Sequence, residues 1–246
     1  MANLYMDPID FTKIPIKKAR LPDCPHLDGL VVVIDVIRAF TTAAFAFAAG
    51  AEKIILTGEV EEAFALHKRL ANTLLAGEQN GIPIPGFHYD NSPVAISKAK
   101  LSGSTIIFRT TSGTQGVVRS TNAGRILVSS FVNAEATLRR IRALSPDKLS
   151  FVITGTSRGG SEDLALADYL ESKLCHGNAD PSPYLEKVRL SPTGLAFSNG
   201  TFPYFHKHDL DAVCEIDKFD FALEVFRENG LPVLRPVNDA GKAISG

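Results

Sequence analysis

The chain has 246 residues, of which 45% are hydrophobic and 22% charged, and its 26 basic and 27 acidic side chains leave a formal net charge of −1 at pH 7. This length and composition are those of a globular protein with a substantial core. The near-neutral charge excludes a global field that would attract nucleic acid or an anionic membrane.

The cysteines and the apolar stretches indicate the compartment. Cys24, Cys175 and Cys214 are few, odd in number and far apart. They give neither a disulfide framework nor a CxxC spacing, which indicates a reducing environment. The first residues include Asp7 and Asp10 and lack the apolar core of a secretory signal. The longest apolar stretch, residues 43–50, is too short to span a bilayer. We therefore expect a cytoplasmic protein without a membrane or nucleic-acid partner.

Strand and helix patterns alternate from residue 30 to about residue 175. Apolar runs predict strands at 30–36, 53–57, 73–76, 104–109, 125–128 and 149–154. Helical patterns lie between and after them, at 39–49, 59–71, 92–99, 114–122, 132–144 and 161–174. This alternation predicts an α/β fold with a largely parallel sheet covered by helices on both sides. We expect one domain over residues 1–246, with subdomains of about 1–145 and 146–246 as the alternative.

The first predicted strand is followed at once by charged side chains. Residues 31–38 have the sequence VVVIDVIR. The continuous apolar run ends at Asp35, and Arg38 follows three residues later. Such a run predicts a strand buried on both faces, where an unpaired carboxylate is costly. Asp35 therefore lies at the carboxyl end of the strand, where α/β folds keep their ligand crevice, or has a partner inside. The alternative is structural: Asp35 caps a helix or pairs with Arg38.

Two later loops share one design, TTSGTQG at 110–116 and TGTSRGG at 154–160, each between a predicted strand and a predicted helix. Hydroxyls and backbone N–H groups at a helix start bind anions, although ordinary turns favour the same residues. Neither loop contains the GK[ST] of a Walker A site or the GxGxxG of a Rossmann site. We predict phosphate or sulfonate binding by residues of both loops: Thr111, Ser112, Gly113, Thr114, Gly155, Thr156, Ser157 and Arg158.

Three arginines are candidate cations for an anionic ligand: Arg38, Arg109 and Arg158. Acids at loop ends form a second group: Asp35, Glu78, Asp90, Glu162 and Asp163. Hard oxygen ligands contributed one per loop are typical of Mg²⁺ beside a phosphate. Glu162 and Asp163 are equally explained as acids that complement a helix dipole.

The later part of the chain changes character. Residues 175–205 are rich in Pro, Gly, Asn and Ser, with a helical pattern only at 183–190, and predict a surface excursion that serves as a lid or an oligomer contact. This is compatible with a homodimer. A short helix at 209–217 and a hairpin of 219–226 with 231–237 follow. The HxH spacing of His206 and His208 could bind a metal, but the aromatic and charged residues around it favour an ordinary loop.

These segments, in this order, resemble the 2-phosphosulfolactate phosphatase family, over about residues 30–236. The matching pieces are VVVIDVIRAFTT at 31–42, LAGEQNG at 75–81, GFHYDNSP at 86–93, TTSGT at 110–114, SSFVNA at 129–134, the 154–163 stretch and DAVCEIDKFD at 211–220. The resemblance implies a three-layer α/β/α fold around a mixed sheet and a magnesium-dependent hydrolysis of a phosphate monoester in coenzyme M biosynthesis. The chain departs from the family pattern at two of these places. Residues 90–93 are DNSP where the family usually has GNSP, and Ser112 stands where the family has Asn.

The resulting hypothesis is a Mg²⁺-dependent phosphatase acting on a small phosphorylated acid. We expect Asp35, Glu78 and Glu162 to hold the metal, and Asp35, Arg38 and Asp163 to be catalytic, with Asp163 as general base or a further ligand. Direct attack by water and phosphoryl transfer to Asp35 both remain open. Polar residues in the matching pieces are expected substrate contacts: Thr41, Asn91, Ser92 and Asn133. The alternatives are a non-catalytic binding protein for a phosphorylated or sulfonated metabolite, and a phosphotransferase.

Overall fold

Ten strands form one sheet in the computed structural model, which describes residues 9–155 and 160–244. The strands are β1 Ile16–Arg20, β2 Leu30–Ile34, β3 Lys53–Thr57, β4 Thr73–Gln79, β5 Ile82–Pro83, β6 Thr105–Arg109, β7 Arg125–Ser129, β8 Leu149–Ile153, β9 Ala222–Glu228 and β10 Leu231–Val237. Their order across the sheet is β1-β8-β2-β7-β9-β10-β3-β6-β4-β5. Two parallel groups, β1-β8-β2-β7 and β3-β6-β4, therefore flank an antiparallel hairpin.

Helices cover both faces of this sheet. They are α1 Ala39–Ala48, α2 Val60–Arg69, α3 Pro93–Ile96, α4 Gly113–Arg119, α5 Ala134–Leu144, α6 Ser161–His176, α7 Ser182–Leu190, α8 Pro192–Ser198 and α9 Lys207–Val213. On one face α1 and α4 pack on the strands, and on the other face α2, α5 and α6 do. The predicted three-layer α/β/α arrangement is confirmed.

Strand β2 shows why the sheet has a core on each side. Val31 and Val33 belong to the apolar cluster on the α1 face, whereas Leu30, Val32 and Ile34 belong to the cluster that α5 and α6 cover. Successive side chains of a strand point to opposite faces, so an uninterrupted apolar run is what a central strand of a three-layer fold requires. The sequence-based prediction of burial on both faces is confirmed.

The predicted strands and helices of residues 30–175 are all present, with ends shifted by a few residues. Strand β1 was not predicted, because in IKKAR only Ala19 is buried and the strand pairs with β8 at the edge of the sheet. Helix α8 and the short β5 were not predicted either. The strand predicted at 73–76 continues to Gln79 as β4, with φ +136 at Gly77, where an added Cβ would overlap the carbonyl oxygen of Arg109.

The predicted C-terminal hairpin lies in the middle of the sheet. Its strands β9 and β10 pair over seven residues each and turn at Asn229 and Gly230. Strand β9 pairs antiparallel with β7, and β10 pairs antiparallel with β3. The hairpin is therefore the only link, within the described strands, between the two parallel groups.

The sheet curves around helix α4. This helix contacts both β2 and β3, which stand four strands apart in the sheet order. In a flat sheet that separation would be about 19 Å, at about 4.8 Å per strand, which is more than one helix can bridge. The curvature brings the end of β6, from which α4 starts, close to the end of β2.

No helix in residues 9–155 and 160–244 has both the length and the apolar character needed to cross a membrane.

Candidate active site

A pocket of about 310 Å³ lies where the ends of several parallel strands converge. Asp35 follows β2, Thr111 and Ser112 follow β6, and Thr154 follows β8. The carboxyl ends of parallel strands are the usual place for a ligand crevice in α/β folds. The lining residues are Asp35, Ile37, Arg38, Glu78, Asn80, Gly81, Asn91, Thr111, Ser112, Thr154, Gly155, Gly160, Glu162, Asp163, Thr193, Phe197 and Phe205.

The structure brings many of the predicted site residues to this one pocket. Those that line it are Asp35, Arg38, Glu78, Asn91, Thr111, Ser112, Gly155, Glu162 and Asp163. Predicted residues that do not line it are Thr41, Asp90, Ser92, Arg109, Gly113, Thr114 and Asn133. The predicted phosphate contacts Thr156, Ser157 and Arg158 lie outside the described residues. The roles predicted for all of them remain predictions.

The residues behind the pocket wall have structural partners. The hydroxyl of Thr41 donates to the carbonyl of Val36, and Thr114 exchanges hydrogen bonds with Thr110. The side-chain oxygen of Asn133 accepts from the amide of Ser130, and all of Asn133 is buried. Arg109 donates to the backbone carbonyls of Gly58 and Glu78, so it supports the neighbouring loops. These contacts shape the loops that carry the lining residues.

Asp35 is buried at the bottom of the pocket. Its Oδ1 accepts a hydrogen bond of 2.9 Å from the amide of Ala39, the first residue of α1. Burial raises the pKa of Asp35 to about 6, and the charges of Glu78 and Glu162 act in the same direction. The alternative in which Asp35 caps a helix is therefore correct in part, whereas an ion pair with Arg38 is wrong, because Arg38 pairs with Asp209.

Gly113 sets how close helix α4 comes to Asp35. A Cβ at this position would lie 2.6 Å from the Cβ of Ala39 and 2.8 Å from Oδ2 of Asp35. Only a residue without a side chain permits this approach. Gly113, predicted as a phosphate contact, is thus placed where it lets the 110–112 loop reach the pocket.

Glu78 holds the first hydroxyl-rich loop. Its Oε1 accepts from the amide of Thr111 at 2.7 Å, and its Oε2 accepts from the hydroxyl of Thr111 at 3.0 Å and the amide of Gly81 at 2.6 Å. A carboxylate offers about four lone-pair sites, so three of the sites on Glu78 are in use. Glu78 therefore fixes the position of Thr111 and keeps limited capacity for a ligand.

Asp163 ties helix α6 to two strand ends. Its Oδ1 accepts from the amide of Val36 at 2.8 Å, and its Oδ2 accepts from the amide of Gly155 at 3.0 Å. Burial raises the pKa of Asp163 well above its usual range, and the charges of Asp35 and Glu162 add to this effect.

The hydroxyl of Thr154 is consistent with a proton on Asp163. It lies 2.9 Å from the carbonyl of Ile34 and 3.2 Å from Oδ2 of Asp163. A hydroxyl carries one hydrogen. When that hydrogen points to Ile34, the contact with Asp163 is a hydrogen bond only if the carboxyl supplies the proton.

Glu162 connects the first turn of α6 to the surface excursion. Its Oε1 accepts from the hydroxyl of Thr193 in α8 at 3.0 Å, and its Oε2 lies 3.4 Å from the hydroxyl of Ser161. Thr193, Phe197 and Phe205 bring the excursion over the pocket. This segment therefore forms one wall of the pocket, and its predicted role as a lid or an oligomer contact remains a prediction.

Arg38 is the cation of the pocket wall in the described part of the chain. Its Nη1 donates to Oδ2 of Asp209 at 2.8 Å, and both side chains are buried. The guanidinium carbon lies 4.8 Å from the centre of the Phe197 ring and 5.7 Å from that of Phe205. These partners keep Arg38 in one orientation beside the carboxylates.

Asn91 presents a side-chain oxygen that has no hydrogen-bond partner among the described residues. Its Oδ1 is buried and accepts no hydrogen bond within the described residues, and the residue lines the pocket. A buried unpaired amide is costly, which favours a ligand as its partner.

The carboxylates of the pocket fit a divalent cation. Asp35, Glu78, Glu162 and Asp163 share one small cavity, and the charges of Glu78 and Glu162 already disfavour ionisation of Asp35. A cation among them would relieve this repulsion. In residues 9–155 and 160–244, no three His, Cys, Asp or Glu side chains are arranged as a ready metal site. Mg²⁺ is commonly bound through one or two carboxylates and several waters.

Eight lining residues were not predicted as site residues: Ile37, Asn80, Gly81, Thr154, Gly160, Thr193, Phe197 and Phe205. Asp209, which lies behind the pocket wall as the partner of Arg38, was not predicted either. One signal was present for Asp209. Residues 207–213 form an amphipathic helix, and Asp209 shares its buried side with Leu210, Ala212 and Val213. An acid on the apolar side of a helix requires a buried partner, although the pattern does not say which residue that partner is.

Comparison with known proteins identifies the family to which the chain is similar. Residues 16–192 match the family model described as 2-phosphosulpholactate phosphatase. A probable 2-phosphosulfolactate phosphatase from Bacillus subtilis is 30% identical over 207 residues, which cover 84% of this chain and 91% of that protein. Proteins of the same name from Carboxydothermus hydrogenoformans and Deinococcus radiodurans are 41% identical over 147 residues and 36% identical over 156 residues. These two matches cover 60% and 61% of this chain, and 61% and 65% of the relatives.

Proposed function

Because the chain belongs to the 2-phosphosulpholactate phosphatase family, we propose that it is a Mg²⁺-dependent phosphatase. Its substrate is a small anionic phosphate monoester, 2-phosphosulfolactate or a related phosphorylated hydroxy acid. One observation carries the proposal: four carboxylates and the Arg38 guanidinium line a single pocket at the strand ends. This combination suits a metal ion and a phosphoryl group side by side.

Asp35 and Glu162 are the best candidates to hold the metal. The hydrogen bonds of the described residues use one lone pair of Asp35 and two of Glu162, which leaves both carboxylates with free acceptor capacity. Glu78 is the third predicted ligand and has less free capacity. Mg²⁺, when bound, would neutralise the negative charge that develops on the phosphoryl oxygens.

Arg38 and the strand-end loops bind the anionic ester. A guanidinium donates hydrogen bonds to two oxyanion oxygens at once. Ser112 stands on the pocket wall beside it. Thr111 and Gly155 also line the wall, but their N–H and O–H groups already donate to Glu78 and Asp163, so they shape the loops that carry the anion-binding groups. Such fixed donors stabilise the charge of a phosphoryl-transfer transition state.

Asp163 moves a proton in this proposal. Burial and the neighbouring acids raise its pKa well above the usual range, and a carboxyl group with a raised pKa is suited to general acid–base catalysis. Asp35 either orients the attacking water or accepts the phosphoryl group itself, in which case an oxygen–phosphorus bond forms at its carboxylate as the alcohol leaves.

The experiment is a phosphate-release panel with phosphorylated hydroxy acids and p-nitrophenyl phosphate, in MgCl₂ and in EDTA. We expect release only in MgCl₂, and a loss of at least about 100-fold in Asp35→Asn. Asp168→Asn is the matched control, since Asp168 lies on α6 and pairs with Lys18 at the surface. Turnover retained by Asp35→Asn excludes its role. Stabilisation by an ester without phosphate release identifies a binding protein instead, and dependence on an added acceptor identifies a transferase.

A further inference from the structure

Asp209 is a fully buried acid that joins three separate elements. It accepts hydrogen bonds from Nη1 of Arg38 at 2.8 Å, from the hydroxyl of Ser92 at 2.7 Å and from the amide of Val94 at 3.3 Å. These donors belong to the loop after β2 and to the start of α3, and Asp209 itself belongs to α9. With 0% of its side chain exposed and both oxygens engaged, Asp209 is a fixed point to which Arg38 is attached.

The opposite edge of the Arg38 guanidinium has no hydrogen-bond acceptor among the described residues. In residues 9–155 and 160–244, Nε and Nη2 donate to no acceptor, and neither is a fully buried atom. Arg38 itself lines the pocket. The hydrogens of Nε and Nη2 point along the same side of the planar group. This edge is the one that binds carboxylate, phosphate or sulfonate oxygens in a bidentate manner.

Two aromatic rings restrict the guanidinium further. Phe197 and Phe205 stack on each other at 4.1 Å between ring centres and both lie within 6 Å of the guanidinium carbon, at 4.8 and 5.7 Å. Rings in this position attract a cation and exclude water from it. A hydrogen bond from Arg38 to an anion is stronger in such surroundings than in water.

We propose that Asp209 is a positioning residue, which holds Nη1 of Arg38 so that the Nε and Nη2 edge receives an oxyanion of the substrate. The inference rests on the proposed function and names the part of the site that binds the negatively charged oxygens of the ester. Ser92 belongs to the same arrangement, as the second donor that fixes Asp209, rather than to the pocket wall.

The charge of Asp209 makes the proposal testable. Removing this negative charge without moving Arg38 would strengthen the binding of an anion by Coulomb attraction. Removing it and releasing Arg38 would weaken the binding, because the bidentate edge is no longer aimed. The two roles therefore predict opposite signs for the same substitution.

The experiment is isothermal titration calorimetry in MgCl₂ with two probes: inorganic phosphate, and sulfoacetate, which carries a sulfonate and a carboxylate but no phosphate. For Asp209→Asn we expect the dissociation constant of at least one probe to rise about tenfold. A rise for phosphate assigns the edge to the phosphoryl group, and a rise for sulfoacetate assigns it to the acid groups of the ester. Affinities equal to or tighter than those of the wild type for both probes would overturn the proposal, as would a wild type that binds neither.

Controls separate positioning from folding. Asp211→Asn, on the same helix but exposed and paired with Arg189, should leave both dissociation constants unchanged. Ser92→Ala keeps every charge and removes one donor to Asp209, so it should weaken binding by a few-fold. In an Arg38→Ala background, Asp209→Asn should have no further effect on binding. If Asp209→Asn alone does not fold, two comparisons still decide whether Asp209 positions Arg38. They are Ser92→Ala against the wild type, and Arg38→Ala with and without Asp209→Asn.

The two proposals fail separately. If the wild type binds phosphate but releases none from any ester, the phosphatase proposal is refuted. The calorimetric titrations then still decide whether Asp209 positions Arg38. A wild type that hydrolyses esters, with Asp209→Asn binding both probes as tightly, refutes only the positioning role.

Discussion

Oδ1 of Asp163 lies 2.8 Å from the backbone nitrogen of Val36, although 127 residues separate them in the chain. The other oxygen of Asp163 binds the amide of Gly155. One carboxyl group thus joins the first turn of α6 to the ends of β2 and β8. The same group lines the pocket, so one side chain both joins the elements of the fold and faces the candidate site.

The first prediction concerns this carboxyl. Asp163→Ala leaves the buried amides of Val36 and Gly155 without an acceptor, so the free energy of unfolding should fall by about 2–5 kcal/mol. Urea denaturation of the two proteins measures the difference. Asp168→Asn, at the surface of the same helix, should change it by less than about 0.5 kcal/mol. A similarly small change in Asp163→Ala would show that these hydrogen bonds contribute little.

The second prediction concerns pH. The pKa of Asp35 is raised from 3.8 to about 6 in the folded protein, so the folded state binds this proton more tightly than the unfolded chain does. The resulting stabilisation is fully present below about pH 4 and is lost as the pH rises through about 6. The loss amounts to about 3 kcal/mol, and the raised pKa of Asp163 acts in the same direction.

The measurement is urea denaturation in EDTA at several pH values between 4 and 7, for the wild type and Asp35→Asn. Since Asn does not ionise, the difference in unfolding free energy between the two proteins should shift in favour of Asp35→Asn as the pH rises. A difference that is constant with pH would mean that Asp35 ionises as it does in water.

The third prediction concerns Gly113. The methyl group of Gly113→Ala would meet Ala39 and Asp35, which forces α4 away from β2 and should lower the unfolding free energy by about 1–3 kcal/mol. Activity should fall more steeply than stability, because the 110–112 loop moves with the helix. Gly58→Ala is the control, as the nearest atoms to its added Cβ are 3.6 Å away. Equal effects of both substitutions would contradict the close approach of α4.

The fourth prediction concerns the metal. If Mg²⁺ binds only the folded state, a concentration of 100 times its dissociation constant stabilises the protein by about 2.7 kcal/mol. For a chain of this size, that raises the melting temperature by about 5–10 °C. Differential scanning calorimetry should show the increase in the wild type and lose it in Asp35→Asn and Glu162→Gln. An equal increase in all three proteins would place the ion elsewhere.

Local patterns were sufficient to predict much of the fold. The apolar run before Asp35 and the alternation of strands and helices indicate a three-layer architecture, because each strand must bury both faces. Strand β1 escaped this reasoning, since an edge strand with one buried side chain carries almost no hydrophobic signal. The strand predicted at 73–76 ended before Gly77 because Gly77 resembles a loop residue, whereas its conformation serves a close contact inside β4.

The partners within the site could be predicted only in part. Residues at strand ends share an edge of the sheet, so Asp35, Thr111 and Gly155 were expected near each other. Arg38 and Asp209, by contrast, are 171 residues apart, and no local pattern relates them. Thr193 and Phe197 belong to an excursion whose path depends on how α6 to α9 pack, which the sequence around those residues does not encode.

The hairpin of β9 and β10 has a consequence for how the protein is made. A ribosome adds about 5–20 residues per second, and the strands of both parallel groups are synthesised before the hairpin that lies between them. Until it arrives, β7 and β3 expose open edges of the kind on which aggregation begins. The nascent chain therefore carries two half-sheets with unpaired edges. We expect a chain that ends before residue 222 to be bound by chaperones or degraded, rather than to fold into a less active protein.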